Sequence, residues 1–367
     1  MLVEKIRYMN IAVIDVAAII GGALSVLNDF CDEIKKNARD GEQWYIITSV
    51  VDIEENSFVH NIKFPEIKKS WLHRLKWERI VFPKLMKELD IDVVFSLQNN
   101  ALPKGSYKQV VYFHNVLLIQ KWGSYLTKEN IKNKIAIYVN ILGPYIRNTW
   151  KQANIIIVQG ISVKNMMLKF VNRNKIKVIR SRVNVPDEYK DKAGMIKGYI
   201  YPTSAFNYKN IESIIEAEKI LNGQGKDIEI LVTIDGSENE YAKRIVNNAK
   251  KVRGIKFIGW QQREHLYDLY AKYGLIQVSK LESLPVPILE AKKIGTVIVG
   301  LNEPYVVEAV GEYKRALIAS NIEELCKNLE KGLDLEKGHI SEDTCGGWLE
   351  VISTIRGQGY DNEEDYC

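Results

Sequence analysis

The sequence predicts two doubly wound α/β domains facing each other across a cleft. Three observations carry this. Short Ile- and Val-rich runs recur along the chain with longer helical stretches between them, the alternation that builds parallel sheets. Those runs rarely alternate apolar with polar residues, as expected of strands covered on both faces. The 367 residues exceed one ordinary core and suit two domains of about 150–200 residues each.

The first run sits in "MNIAVIDVAAIIGGALSVL", which follows Lys5 and Arg7 and has the outline of a membrane anchor. Asp15 lies inside it, and an aspartate near a bilayer centre costs roughly 3 kcal/mol. Gly21-Gly22 then divides the run, so it reads as a buried strand, a glycine loop and a helix. No other run approaches ~20 apolar residues. "WYIITSV", "DVVFSL", "QVVYF", "NIIIVQ" and "KVIRS" complete a first set of six strands. "GYIYP", "IEILVTI", "IKFIGW", "LIQVS", "TVIVGL" and "ALIAS" form a second set of six. Between the sets, "NVPDEYKDKAG", with Pro186 and Gly194, is the linker candidate. The boundaries follow: a first domain over 1–187, a second over 188–340, and a last stretch over 341–367. In that stretch "SEDTCGGWLEVISTIR" reads as a helix available to pack back on the first domain, and "DNEEDYC" as a disordered acidic tail.

The net charge of +5 hides an asymmetry: residues 1–190 carry 29 Lys+Arg against 18 Asp+Glu, and the remainder 22 against 28. A basic first half implies an anionic partner there: a nucleic acid, a membrane surface or a phosphorylated substrate. No helix-turn-helix, zinc finger or RNA-binding aromatic motif is present, so nucleic acid is set aside. Cys31, Cys326, Cys345 and Cys367 are scattered, which suits a reducing compartment and lacks zinc-site spacing. With 5 histidines and no clustered ligands, no metal or other cofactor is expected. The Asp-x-Asp at Asp90 and Asp92 joins a helix end to a strand and reads as a strand start.

The stretch "LESLPVPILEAKKIG" holds Glu282 and Glu290 on either side of two prolines. Glu282 follows the strand "LIQVS" at its carboxyl end, where such sheets bind ligands. Pro287 suits the first position of a helix ending at Gly295, which puts Glu290 on the first turn beside free backbone amides. A helix start can hold a phosphate, and a carboxylate beside it can accept two hydrogen bonds from a ribose diol. On these residues alone, two surface glutamates near a turn remain the alternative.

"ESLPVPILEA" resembles the Glu-x7-Glu signature of the family-4 retaining glycosyltransferases, which have the GT-B fold of two facing Rossmann-like domains. "YPTSAFNYKNIESIIEA" resembles the strand-loop-helix whose Lys-Asn step opens the donor domain, and "IKFIGWQQREHLYDLYAKYGLIQVS" the segment ahead of the glutamates. "GG" at Gly21-Gly22 and "VYFHN" match the family's early glycine loop and first-domain histidine. The resemblance is strong over 198–312 and weak before it.

It implies that Glu282 contacts the donor sugar near its reacting face and that Glu290 binds the nucleotide ribose. Lys209 would neutralise the diphosphate, Gly21 and Gly22 would face that diphosphate from the other domain, and His114 would sit by the sugar hydroxyls. Trp260 and Gln261 would hold the base, with Leu284 and Val286 completing the donor-binding set. A helix-start lysine, a tight turn and a buried histidine are the plain structural alternatives for Lys209, Gly21-Gly22 and His114. Two departures stand out. The family's arginine shortly before the lysine is replaced by Thr203 and Ser204, leaving Arg180, Arg182 or Lys280 as substitutes, and Pro285 stands where glycine is favoured.

The implied function is retaining transfer of a sugar from a nucleotide-sugar to a glycan or polyprenyl-diphosphate-linked acceptor. The implied setting is bacterial O-antigen or capsule assembly, cytoplasmic and peripheral on the inner membrane. A nucleotide-sugar 2-epimerase, or a degenerate transferase serving as a binding subunit, are the other readings. Two basic, aromatic segments, "KKSWLHRLKWERIVFPKLMKEL" and "KNKIAIYVNILGPYIRNTWK", are the candidates for docking on an anionic membrane surface, with Pro83 expected to kink or split the first.

Overall fold

The computed structural model describes residues 9–19, 21–132, 134–190, 194–335 and 346–358. Lys5, Arg7, Cys345, Cys367, the acidic tail and linker residues 191–193 lie outside them. Two all-parallel sheets make up the fold. The first contains β1 (Met9–Asp15), β2 (Glu42–Thr48), β3 (Val59–Lys63), β4 (Val93–Ser96), β5 (Lys108–Tyr112), β6 (Ile155–Val158) and β7 (Ile176–Val178), in the order β3-β2-β1-β4-β5-β6-β7. The second contains β8 (Tyr199–Tyr201), β9 (Ile230–Val232), β10 (Ile255–Phe257), β11 (Gly274–Gln277), β12 (Ile298–Leu301) and β13 (Ala316–Ala319), in the order β10-β9-β8-β11-β12-β13. Strand order reverses between β1 and β4 and between β8 and β11, the switch points beyond which doubly wound sheets bind ligands.

The first sheet has seven strands rather than the expected six. The additional one, β3, pairs with β2 from Trp44↔Val59 to Thr48↔Lys63. As an edge strand β3 has a neighbour on one side only and is mostly half-buried, with Val59 in one core and Ile62 against another, so it tolerates His60 and Asn61 and lacks an Ile/Val run.

"MNIAVID" is β1, followed by the helix Gly21–Asn37, as expected. Leu27, Phe30, Cys31 and Ile34 recur at helical spacing and pack under the sheet with Trp44 and Phe95. The chain then returns after the second domain: helix Trp348–Ile355 places Val351, Ile352 and Ile355 in this same core, and Trp348 meets the Phe30 ring at 5.0 Å. Arg356 closes the seam through a buried ion pair to Glu42 at 2.6 Å.

Pro83 does not split its helix. The α-helical turns Trp71–Lys76 and Phe82–Glu88 are joined by a π-helical turn, Trp77–Val81, just ahead of the proline. Proline has no N–H for the preceding turn and its ring crowds a carbonyl there, and a widened turn accommodates both. The same device recurs at Tyr138–Leu142 ahead of Pro144. Among the described residues no helix is long and apolar enough to cross a membrane.

Candidate functional site

The loop after β11 is held from both sides. Tyr305 donates its hydroxyl to Ser279 O at 2.5 Å and accepts from Gln277 Nε2 at 3.0 Å. From the neighbouring loop, Asn210 Nδ2 donates to Val278 O at 3.1 Å, and Lys280 N to Tyr208 O at 2.9 Å. Asn210 takes a left-handed φ of 56°, which asparagine tolerates. Tyr201 then fixes the lysine's own backbone, its hydroxyl donating to Lys209 O at 2.7 Å. These contacts bring Lys209 and Glu282 together, Nζ to Oε1 at 2.5 Å, at the carboxyl edge of the second sheet. Sequence reasoning named the lysine and the glutamate. It met Asn210 only as part of the Lys-Asn step and passed over Tyr305; the polar side chains of both hold the two loops in register.

The same loop reaches the other domain. Leu281 packs in a first-domain cluster with Phe113, Val116 and Trp150. Ser283 Oγ donates to His114 O at 2.7 Å. His114 therefore stands at the edge of β5 directly beside the glutamate loop. Burial pushes its imidazole down to about 4, so the ring is neutral at physiological pH. Asn99 Oδ1 accepts from His114 N at 2.7 Å while Asn99 Nδ2 lies 3.3 Å from Nε2.

Glu290 differs from the expectation. The helix runs Val286–Ile294, so Pro287 is its second residue and Glu290 its fifth, one beyond the first turn. The amides at this helix start are also mostly engaged. Val286 N donates to Leu284 O at 3.0 Å, Ile288 N donates to Pro285 O at 2.9 Å, and proline at 287 has none to offer. Glu290 is held instead by the next helix over. Arg263 Nε donates to its Oε1 at 2.9 Å, and Tyr267 Oη lies 3.4 Å from the same oxygen. The carboxyl is 3% exposed, and burial raises its pKa even though Arg263 opposes the rise. Arg263 also faces the first domain, where its charge acts on Asp29 of helix Gly21–Asn37. Sequence reasoning missed Arg263, since no motif marks a residue defined by its partner across 27 positions.

Gly21 has a φ of +67°, which requires glycine, and opens helix Gly21–Asn37. A Cβ at Gly21 or Gly22 would meet nothing within 4 Å, so the backbone is uncovered on this side. Trp260 stands outward, 80% exposed, while the Gln261 amide turns in to Ile258 O at 2.7 Å. Of the substitutes for the missing arginine, Lys280 is exposed and acts on Glu303. Arg180 lies where the returning chain crosses, Gly347 N donating to its carbonyl at 2.8 Å. Asp92 sits at the opposite end of its sheet, its carboxylate accepting from Asn10 N at 3.0 Å, as a strand start does.

Residues 190–342 match the sequence profile of the family described as Glycosyl transferases group 1. Over those residues the chain is similar to that family, within a GT-B fold. Solved structures agree on that fold across both domains. A glycosyltransferase from Rickettsia africae ESF-5 superposes with a TM-score of 0.62 at 14% identity, covering 96% of this chain and 100% of that one. Alr3699/HepE from Anabaena, in complex with UDP-glucose, gives a TM-score of 0.59 at 13% identity over 95% and 99%. WaaG, a glycosyltransferase involved in lipopolysaccharide biosynthesis, gives 0.57 at 13% identity over 89% and 91%. No curated protein sequence matches the chain.

Proposed function

We propose that this glycosyltransferase moves a sugar from a nucleotide-sugar to a glycan or polyprenyl-diphosphate-linked acceptor with retention of configuration, in bacterial surface-polysaccharide assembly. The observation that carries the proposal is the Lys209–Glu282 pair on a loop that touches His114 across the domain boundary. One cation, one carboxylate and one neutral imidazole thus converge at facing sheet edges. Lys209 offsets the diphosphate charge that grows as the glycosidic bond breaks, and therefore stabilises the transition state more than the ground state. Glu282 orients the sugar. The acceptor oxygen attacks the face the diphosphate leaves, and its proton passes to a departing phosphate oxygen. The reading calls for no metal, since Lys209 supplies the positive charge. Glu290 and Arg263 take the ribose end, and the uncovered amides at Gly21 and Gly22 face the diphosphate from the first domain.

The acceptor side is read as a membrane surface. Trp71, Leu72, Ile80 and Ile141 are each more than half exposed on the two proline-containing helices, which meet where Trp71 and Tyr145 pack at 6.5 Å. Lys68, Lys69, Lys76, Arg79, Lys84 and Lys87 are exposed on the same segment. Trp77, Phe82 and Trp150 are core residues, so the outward face is narrower than the sequence alone implied. Basic residues near an anionic leaflet contribute roughly 1 kcal/mol each. Co-sedimentation with anionic vesicles should be reversible and weakened by salt, and equal recovery with neutral vesicles would favour a soluble acceptor. The transfer itself is tested by screening nucleotide-sugars and reading the anomeric coupling of the product by NMR. An inverted product, or 2-epimerisation of donor without acceptor, would overturn the proposal.

A further inference from the structure

We infer that Asn99 is a positioning residue that sets the tautomer of His114, so that the ring offers Nδ1–H as a hydrogen-bond donor at the domain boundary. The inference rests on placing His114 at the sugar, but its first test does not.

A backbone N–H can only donate, so the Asn99 atom 2.7 Å from His114 N is the amide oxygen. The remaining amide atom is then the NH2 group, which can only donate, and it lies 3.3 Å from Nε2. A neutral imidazole that accepts at Nε2 carries its proton on Nδ1. That nitrogen is shielded from solvent and has no hydrogen-bond partner among the described residues. A shielded donor without a partner is unfavourable by about 1–3 kcal/mol, a cost that a hydroxyl or ring oxygen of a bound sugar would relieve.

Asn99 itself is held for the task. It is buried, its backbone takes a left-handed φ of 68°, and its carbonyl accepts from Trp150 Nε1 at 2.8 Å. The other neighbours of the ring leave the tautomer to Asn99: the Tyr112 ring lies 6.0 Å away, and Ser283 engages only the His114 carbonyl. No charged side chain contributes to the depressed basicity of the imidazole, which comes from burial alone.

Asn99→Asp separates the possibilities. The carboxylate still accepts from His114 N–H but cannot donate to Nε2. The ring must then put its proton on Nε2, and the adjacent negative charge raises its pKa. Long-range 1H–15N spectra of histidine-labelled protein read the tautomer directly, with His114 identified by comparison with variants of the other 4 histidines. The wild-type ring should show protonated Nδ1, and Asn99→Asp should show protonated Nε2 and a pKa raised by more than one unit. Turnover at pH 7.5 should fall at least tenfold, with nucleotide affinity within twofold. Asn99→Gly keeps the left-handed backbone while deleting the amide, and should give mixed tautomers in a folded protein. Protonated Nε2 in the wild type, or an unchanged tautomer in both variants, would overturn the inference. A switched tautomer with unchanged turnover would end the positioning role and remove His114 from the reaction, leaving the rest of the proposed function to stand on Lys209 and Glu282.

Discussion

The two facing sheet edges handle buried polarity in opposite ways. On the second domain the charged groups at the strand ends are paired with one another, Lys209 with Glu282 and Arg263 with Glu290, and Thr203, Thr233, Gln277 and Ser279 have internal partners. Asn207 Oδ1 and Tyr270 Oη, the latter near Glu290, are exceptions on that side. At the first domain's edge, by contrast, Asp15 Oδ2, Ser49 Oγ, Ser96 Oγ, Gln98 Nε2, Asn100 Oδ1 and His114 Nδ1 are buried with no hydrogen-bond partner among the described residues. A buried polar atom without a partner costs about 1–3 kcal/mol. The first edge therefore gives up stability that a polar ligand restores, whereas a ligand at the second edge must displace partners already in place. One side is primed and the other is self-satisfied.

The largest effect expected on this comparison comes from breaking a second-domain pair. Lys209→Ala should lower transfer about 10²–10³-fold, the range for removing one preorganised electrostatic group, and should also weaken diphosphate binding. It leaves Glu282 without its cation, so urea unfolding should show a stability loss that Lys209→Met/Glu282→Gln recovers. If the double variant is no more stable than Lys209→Ala, the pair is not the self-satisfied unit described. Glu282→Gln alone should depress turnover while leaving affinity for the free nucleotide nearly intact.

Next in size, Glu290→Ala should weaken nucleoside diphosphate binding by about 1–3 kcal/mol through lost charge-assisted hydrogen bonds. Calorimetry at low and moderate salt measures it. Unchanged affinity would remove Glu290 from the ribose and return it to a purely structural partnership with Arg263.

The smallest effect sharpens the other side of the comparison. Burial pushes the Asp15 carboxyl up to about 6, against the pull of Lys68 and Arg74. Above pH 6 the folded state thus holds an ionised carboxylate that burial disfavours, and this destabilisation fades as pH falls into the ordinary carboxylate range. Asp15→Asn, which keeps an oxygen for Ala18 N, should stabilise the protein by about 1–2 kcal/mol at pH 7.5 and by little near pH 4. His114 has the reverse dependence. Its pKa is depressed to about 4, so its contribution is lost as pH falls from about 6.5. Equal stability of Asp15→Asn and parent at pH 7.5 would mean the first edge bears no such cost.

Much of this architecture was legible because strands covered on both faces are written as continuous apolar runs, and the second domain's motif residues lie within short loops. Glu282 could be placed because it follows a recognisable strand, and Lys209 was named only through the resemblance of its segment. β3 could not, since a mostly half-buried edge strand with His60 and Asn61 carries no such run. Arg263 and Asn99 escaped for a different reason: their roles are relations to Glu290 and His114, 27 and 15 residues away, and nothing in either residue's own neighbourhood announces them. Glu290 lies one residue further into the helix than expected because either Pro285 or Pro287 could open it, and the backbone takes Pro285 as its cap.

The return of helix Trp348–Ile355 to the first domain has a consequence for biogenesis. Phe30, Tyr112 and Phe95 share one apolar cluster with Trp348, Val351, Ile352 and Ile355. During synthesis the first domain emerges whole in sequence up to its seventh strand, yet part of its core is still inside the ribosome until the second domain has been made. Burying a side chain of this kind is worth about 1.5–3 kcal/mol, so several kcal/mol arrive only after the second domain has been synthesised. Until then the Phe30 surface of the nascent first domain lacks this cover.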